Sequence, residues 1–309
     1  MKKAVIIGGR GKVGSYLVPM LVESGFSVVN ISRGITKPKI ESPAWNDVEQ
    51  LTLDREADGF ADKVAALSAD CVIDMICFEN SDMNTLIDSL SGNVGHYLVC
   101  GSIWIHGRSR TVPVREEESR DPPDHYGQQK SLMDHSITER FQDSGFPGTA
   151  IHPGHIVCPG DVPINPQGFK GLSAFTALRD GEPLRLPNFG METLHHVHAS
   201  DVAGVFMAAI KAGKPAYGEG FHTVSPAAVT LYGYATEVAG WFNKEARLLF
   251  EPFDEWKTHF SDSDAEATLE HIHRSPSCSM EKAKRLLGFT PKFTTYEAVR
   301  ECIASFGFE

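Results

Sequence analysis

The chain has 309 residues, 41% of them hydrophobic and 22% charged, with a formal net charge of −11. That length allows a large buried core in about two domains, or in one domain with an added lobe. The negative charge argues against general affinity for nucleic acid or anionic membrane, and no apolar run approaches the roughly 18 residues that span a bilayer.

Met1-Lys2-Lys3 is basic, but the apolar run behind it ends at residue 7, too short for a secretory signal. A cytoplasmic protein is expected. Residues 4–7 read as the first strand. They lead into Gly8-Gly9-Arg10-Gly11-Lys12-Val13-Gly14. Residues 13–24 then set Val13, Leu17, Met20 and Leu21 along one helical face, and Gly25 supplies a stop. A helix start carries unpaired N–H groups and a positive dipole end, so such a corner attracts a pyrophosphate. Its glycines permit the tight turn, the close approach of backbone to phosphate and the packing of helix on strand. Gly8, Gly11 and Gly14 give G-x-x-G-x-x-G, not the usual G-x-G-x-x-G. A purely structural corner is the alternative, but the place between a strand and an amphipathic helix favours a dinucleotide.

The second strand, residues 27–31, ends in Ser32-Arg33 with no acidic residue. An acid there pairs with the ribose hydroxyls of NAD, whereas an arginine accommodates the 2′-phosphate of NADP. Arg33, Ser32 and Arg10 form a candidate phosphate clamp, which favours NADP over NAD; the competing reading is two solvated arginines. The third strand, residues 51–53, precedes Asp54, a candidate for the adenine amino group or a plain loop carboxylate. Apolar runs at 71–76, 96–100 and 149–151 alternate with helical patterns at 58–67, 81–90 and 126–144. Short runs without alternation, separated by helices, imply right-handed βαβ units and a doubly wound parallel sheet.

Residues 1–160 therefore read as a Rossmann-type dinucleotide-binding domain of the α/β class. Beyond Pro153 prolines and glycines break the pattern. Helical patterns at 172–179, 201–211, 231–243, 281–287 and 296–305 describe a smaller, mostly helical lobe. Residues 161–193 and 225–309 are assigned to this substrate lobe, with 194–224 returning to the dinucleotide domain. Cys71, Cys77, Cys100, Cys158, Cys278 and Cys302 lack metal-ligand spacing, and several sit in apolar runs, so buried free thiols are expected.

Tyr126 and Lys130 are four residues apart and share one helical face. A phenol ordinarily titrates near 10, and a neighbouring ammonium favours the phenolate, which would bring Tyr126 into range as an acid or base. Lys130 can also bond the nicotinamide ribose. Ser102, at the carboxyl end of the fifth strand, can hold a substrate oxygen beside Tyr126. An exposed helix pair is the alternative; the position behind Ser102, in a chain with a dinucleotide corner, favours proton transfer.

At these motifs the chain resembles the extended short-chain dehydrogenase/reductase superfamily, in its NAD(P)-dependent epimerase/dehydratase branch. The resemblance covers nearly the whole chain. It is carried by the Gly8–Gly14 corner, by Ser102 with Tyr126-x-x-x-Lys130, by His152-Pro153-Gly154-His155 and the residues to Gly160, by His196–Ala203 and by Lys284–Pro291. It implies Ser102, Tyr126 and Lys130 as the catalytic trio and a strand order of 3-2-1-4-5-6-7. It implies cofactor contacts at Gly8, Gly9, Arg10, Gly11, Lys12, Val13, Gly14, Ser32, Arg33, Asp54, Lys130, Pro153 and His155. It also implies a homodimer built by helices near the fourth and fifth strands.

The departures bear on the substrate. His155 stands where the family often has a substrate-contacting Asn, and His152 replaces the usual Arg. Residues 191–195 lack the Arg that commonly binds a nucleotide-sugar diphosphate. Arg185 and Arg274 are the remaining candidates for that role, and Trp104, His106 and His155 are the other candidate pocket residues. His195, His196 and His198 have no acidic or cysteine partner at ligand spacing, so no metal is expected; one buried, hydrogen-bonded His and two at the lobe boundary is the reading. Glu116-Glu117-Glu118 reads as a solvated face, with a loop that folds over the substrate ahead of Tyr126 as the alternative.

Three functions follow. The first is an NAD(P)-dependent epimerase or dehydratase acting on a sugar or nucleotide-sugar by hydride transfer, with Tyr126 as acid/base. The second is an NADPH-dependent carbonyl or keto-sugar reductase. The third is a non-catalytic dinucleotide sensor or an RNA-binding relative. A small-molecule substrate is expected, with neither nucleic acid nor membrane as partner.

Overall fold

Seven short strands form one parallel sheet in a computed structural model that describes residues 1–308. They are β1 (Lys3–Ile7), β2 (Ser27–Ser32), β3 (Val48–Thr52), β4 (Cys71–Asp74), β5 (His96–Cys100), β6 (Gly148–Pro153) and β7 (Glu219–Thr223). The order is β7-β6-β5-β4-β1-β2-β3, the one the resemblance implies. β1, β4 and β5 are buried on both faces, which is why their sequences are continuous apolar runs. β3 is the edge strand. Its Glu49 and Gln50 are exposed, and these polar residues hid its first three positions from an apolar reading.

Helices α1 (Gly14–Glu23), α2 (Phe60–Ala65), α3 (Asn80–Leu90) and α4 (His125–Ser144) alternate with these strands. Leu17 and Leu21 of α1 bury against one face, and Met83 and Ile87 of α3 and Met133 and Ile137 of α4 against the other. α4 starts where Asp124 caps it, Oδ1 accepting from Gly127 N–H at 2.9 Å. Gly145, at φ +72°, ends it in the left-handed conformation that glycine adopts freely.

Then come α5 (Ser173–Asp180), α6 (Ala199–Ala212), α7 (Leu231–Trp241), α8 (Phe253–Trp256), α9 (Asp262–Ile272), α10 (Glu281–Leu287) and α11 (Thr295–Ala304). Val202 and Phe206 of α6 join the core under α1, and β7 completes the sheet beside β6. α5, α7 and α11 build a second core around Phe175, Tyr234, Val238 and Ile303. α9 is absent from the sequence reading because only Ala265, Thr268 and Ile272 are buried on it, too thin an apolar stripe to register; its Ser261 cap is the signal that was there. The six cysteines are free thiols, five buried and Cys100 partly so.

Candidate active site

The sheet order reverses at β1, and ligands of open α/β sheets bind over the strand ends at such a point. The glycine corner lies there. Gly8 has φ +83°, and its N–H donates to the Ile31 carbonyl at 2.9 Å. A Cβ on Gly9 would sit 2.6 Å from Asn30 Oδ1, and one on Gly14 would sit 2.3 Å from the Gly9 carbonyl oxygen. Gly11 differs. It is exposed, and a Cβ there would meet nothing closer than Gly8 O at 3.5 Å. Gly9 and Gly14 thus close the turn, while Gly11 leaves room on its outer side. The N–H groups of Arg10, Lys12 and Val13 make no backbone hydrogen bond among the described residues.

At the end of β2, Ser32 is partly buried and Arg33 is exposed. Arg10 reaches the same corner, donating to Thr36 O at 3.0 Å and Gln50 Oε1 at 2.9 Å; its Nε is buried with no partner among the described residues. Lys12 forms an ion pair with Asp161. Asp54 is exposed, its Oδ1 accepting from Glu56 N–H at 3.1 Å. Ile76, beside Gly8, is 38% exposed, and Phe78, facing Tyr126, is 55% exposed. Apolar side chains left uncovered in a cleft mark a ligand surface. Free backbone donors, an orphaned guanidinium N–H and this apolar floor together fit a dinucleotide.

Tyr126, Ser102 and Trp104 line one cavity of about 310 Å³, together with Lys12, Pro153, His155, Ile164, Lys170 and His196. Burial pushes the Tyr126 phenol up to about 12, and nearby Cys100 and Asp124 add to the rise; the Ser102 hydroxyl alongside works the other way. Lys130 is buried, which lowers its pKa. Its ammonium donates to Cys77 O at 2.6 Å and Cys100 O at 2.7 Å. The Ser102 hydroxyl accepts from Trp104 N–H at 3.2 Å and so caps a short helical turn.

Behind Ser102 lies a network that the sequence reading missed. Ser102 N–H donates to His152 Nδ1 at 3.3 Å. His152 must therefore carry its proton on Nε2, which donates to Asp134 Oδ1 at 2.7 Å. Asp134 is ion-paired with Arg120 as well, and these partners hold its carboxyl far below the ordinary range. Tyr126, Lys130 and Asp134 stand at i, i+4 and i+8 of one helix, a spacing that was legible. Next to this network His106 and His222 meet nitrogen to nitrogen at 2.8 Å. Glu116 accepts from His222 N–H at 2.9 Å and is 4% exposed. The solvated-face reading is thus corrected for Glu116: the fold turns it inward to satisfy a strand N–H, while Glu117 stays outside.

The structure brings Trp104 and His155 to the cavity with Tyr126 but sends the other predicted substrate residues elsewhere. His106 is in the buried network, not on the cavity wall. Arg185 forms an ion pair with Glu251 on a parallel ribbon of Leu184–Pro187 and Leu248–Glu251. Arg274 lies under the wall, 3.8 Å from the Trp104 ring centre and paired with Asp124. His195, His196 and His198 are all buried, so the reading of two of them at a lobe boundary is replaced by three interior side chains with local polar partners.

The model of the NAD dependent epimerase/dehydratase family matches residues 4–219. The chain is 26% identical over 316 residues to the chloroplast stem-loop binding protein of 41 kDa b of Arabidopsis thaliana, covering 97% of this chain and 78% of that protein. It is 27% identical over 226 residues to the 2′-dehydrokanamycin reductase of Streptomyces kanamyceticus, covering 72% of this chain and 62% of that protein. A solved UDP-glucose 4-epimerase from Thermotoga maritima superposes with a TM-score of 0.73 at 16% identity, over 99% of this chain and 98% of that one, a likeness of fold. With the glycine corner, the sheet order and the family match in place, the chain belongs to the NAD dependent epimerase/dehydratase family, whose members bind NAD(P).

Proposed function

We propose that this chain is an NAD(P)-dependent enzyme of the epimerase/dehydratase type acting on a sugar, with Tyr126 as its acid/base. The observation that carries the reading is the meeting of Tyr126 and Ser102 at one cavity wall, beside an open glycine corner. The cofactor, when bound, supplies the hydride acceptor or donor. Gly8 to Gly14, Ser32, Arg33, Pro153 and Lys130 would hold it, and Arg10 with Arg33 favours NADP. Tyr126 passes a proton to or from the substrate oxygen, and Ser102 donates to that oxygen and fixes it. Lys130 ties the ends of β4 and β5 together through the carbonyls of Cys77 and Cys100 and so sets the floor under the Tyr126 ring.

One observation favours a second reading, one-way carbonyl reduction with NADPH: Arg274, a candidate diphosphate contact, is committed to Asp124. The stem-loop binding relative suggests a third role; an intact Ser102, Tyr126 and Lys130 and the −11 charge weigh against RNA as the ligand. Free thiols favour a cytoplasmic location. No helix among the described residues is long and apolar enough to cross a membrane. A homodimer built by the helices near β4 and β5 is part of this reading.

The test is to purify the protein, measure bound nucleotide, and follow nicotinamide absorbance with sugars and keto-sugars. Net NADPH loss supports the reductase, and a retained dinucleotide with sugar isomerised but no net change supports the epimerase. Tight stem-loop RNA binding without nucleotide binding would overturn both.

A further inference from the structure

Three unpaired ring nitrogens beside the cavity carry the next step. Both ring nitrogens of His155, a residue of the cavity lining, are buried with no hydrogen-bond partner among the described residues. His196, on the same wall, gives Nε2 to the Ile164 carbonyl at 3.2 Å and leaves Nδ1 buried and unpartnered. The His155 ring meets the His196 ring edge to face at 5.7 Å and the His271 ring at 4.9 Å. Buried polar atoms in folded proteins are almost always paired, so this cluster is aimed at something other than the protein.

The surrounding cations are already engaged. Lys12 and Lys170 share the Asp161 carboxylate, Lys170 at 3.5 Å. Arg274 is fixed by Asp124 and by the Glu270 carbonyl and lies flat over Trp104; one Nε–H is left over, which cannot bracket a phosphate in the two-pronged way guanidinium does. Burial and mutual repulsion hold His155 well below the ordinary imidazole range, with His196 down to about 3 and His271 to about 4. Each ring is then one donor and one acceptor without charge. A hydroxyl offers the same pair, and adjacent hydroxyls on a ring can satisfy a donor and an acceptor at once. The cavity, of about 310 Å³, is at the small end for ligand sites, and its Lys12 and Pro153 side belongs to the proposed cofactor contacts.

We infer that the cavity takes an uncharged, polyhydroxylated ring without phosphate, diphosphate or carboxylate, and that His155 sets this selectivity with His196. This rests on the reading of the cavity as the substrate site. A site built to bond hydroxyls rejects analogues that cannot pair with its buried polar atoms, and an anion brought here must compete with Asp161 for Lys12 and Lys170 and with Asp124 for Arg274.

The experiment is calorimetric titration of the NADP-loaded protein with a panel of free hexoses, methyl hexosides and cyclitols, each set against its phosphate, uronate or UDP counterpart. At least one uncharged member is expected to bind about tenfold or more tighter than its charged counterpart. His155→Leu is expected to remove that binding, and His155→Asn, which keeps one donor and one acceptor, to retain most of it. Tighter binding of the UDP or phosphate forms, no binding by any uncharged member, or wild-type affinity in His155→Leu would each overturn the inference. NADPH titration of the same samples reports separately: sugar selectivity without nucleotide binding would sink the proposed redox function and leave this site standing.

Discussion

Lys130 stands 5.6 Å from the centre of the Tyr126 ring, and its ammonium points at two backbone carbonyls instead of the phenol oxygen. Their spacing in the sequence suggested an ammonium that draws down the phenol. In the folded chain burial dominates, only the Ser102 hydroxyl opposes it, and the phenol is pushed up to about 12. Lys130 acts on Tyr126 mainly as a support.

The pH dependence follows. With the phenol raised, Tyr126 keeps its proton from about pH 6 to 9, so carbonyl reduction should be flat over that range and hydroxyl oxidation should rise with pH. Initial rates of NADPH change read both. Tyr126→Phe should cut either rate by about 10²–10⁴-fold while cofactor affinity stays within about twofold. A reduction rate that halves near neutral pH would count against the assignment.

The glycine corner separates folding from cofactor binding. Gly14→Ala forces a Cβ into the Gly9 carbonyl and should cost about 1–3 kcal/mol of stability. Gly11→Ala has space in the fold, so its thermal midpoint should move by no more than about 2 °C. The same methyl would stand where a pyrophosphate approaches, and NADPH affinity should drop about tenfold or more. Fluorescence titration beside a melting curve distinguishes the two; unchanged NADPH affinity in Gly11→Ala would refute this placement of the phosphates.

Arg33 bears on cofactor choice. It is exposed at the end of β2, and Arg10 nearby is already bonded to Thr36 and Gln50. Arg33→Ala should weaken NADP about tenfold and leave NAD within about twofold, since only the former carries the 2′-phosphate. Equal losses would remove the clamp.

Acid should unfold this protein early. Burial lowers His195 and His96 to about 4 and His196 to about 3 in the folded chain, against an ordinary value near 6.5. Below about pH 6.5 the unfolded chain binds more protons at these sites than the folded one, so stability falls as pH drops toward 4. Each group is worth on the order of a few kcal/mol. Urea midpoints at pH 7.5 and 5 should differ clearly, and equal midpoints would mean that the rings are protonated in place.

Much of the molecule was written locally. Apolar runs marked the strands, and the helix that carries Tyr126 and Lys130 showed their shared face through a spacing of four. The corner at Gly8–Gly14 declared its chemistry within seven residues, because turn geometry and helix-end donors depend on near neighbours. What the fold alone decided involves distant partners. His106 meets His222 across 116 positions, Glu116 reaches the same residue across 106, and Asp124 engages Arg274 across 150. No local pattern marks such pairs, since burial removes water and makes each polar atom take whichever partner the packing delivers. So the sequence by itself determined the glycine corner between strand and helix and the Ser102, Tyr126 and Lys130 motif on which the resemblance rests. The tertiary structure decided that Glu116 faces inward, that Arg274 is engaged, and that His155 and His196 line the cavity beside Tyr126.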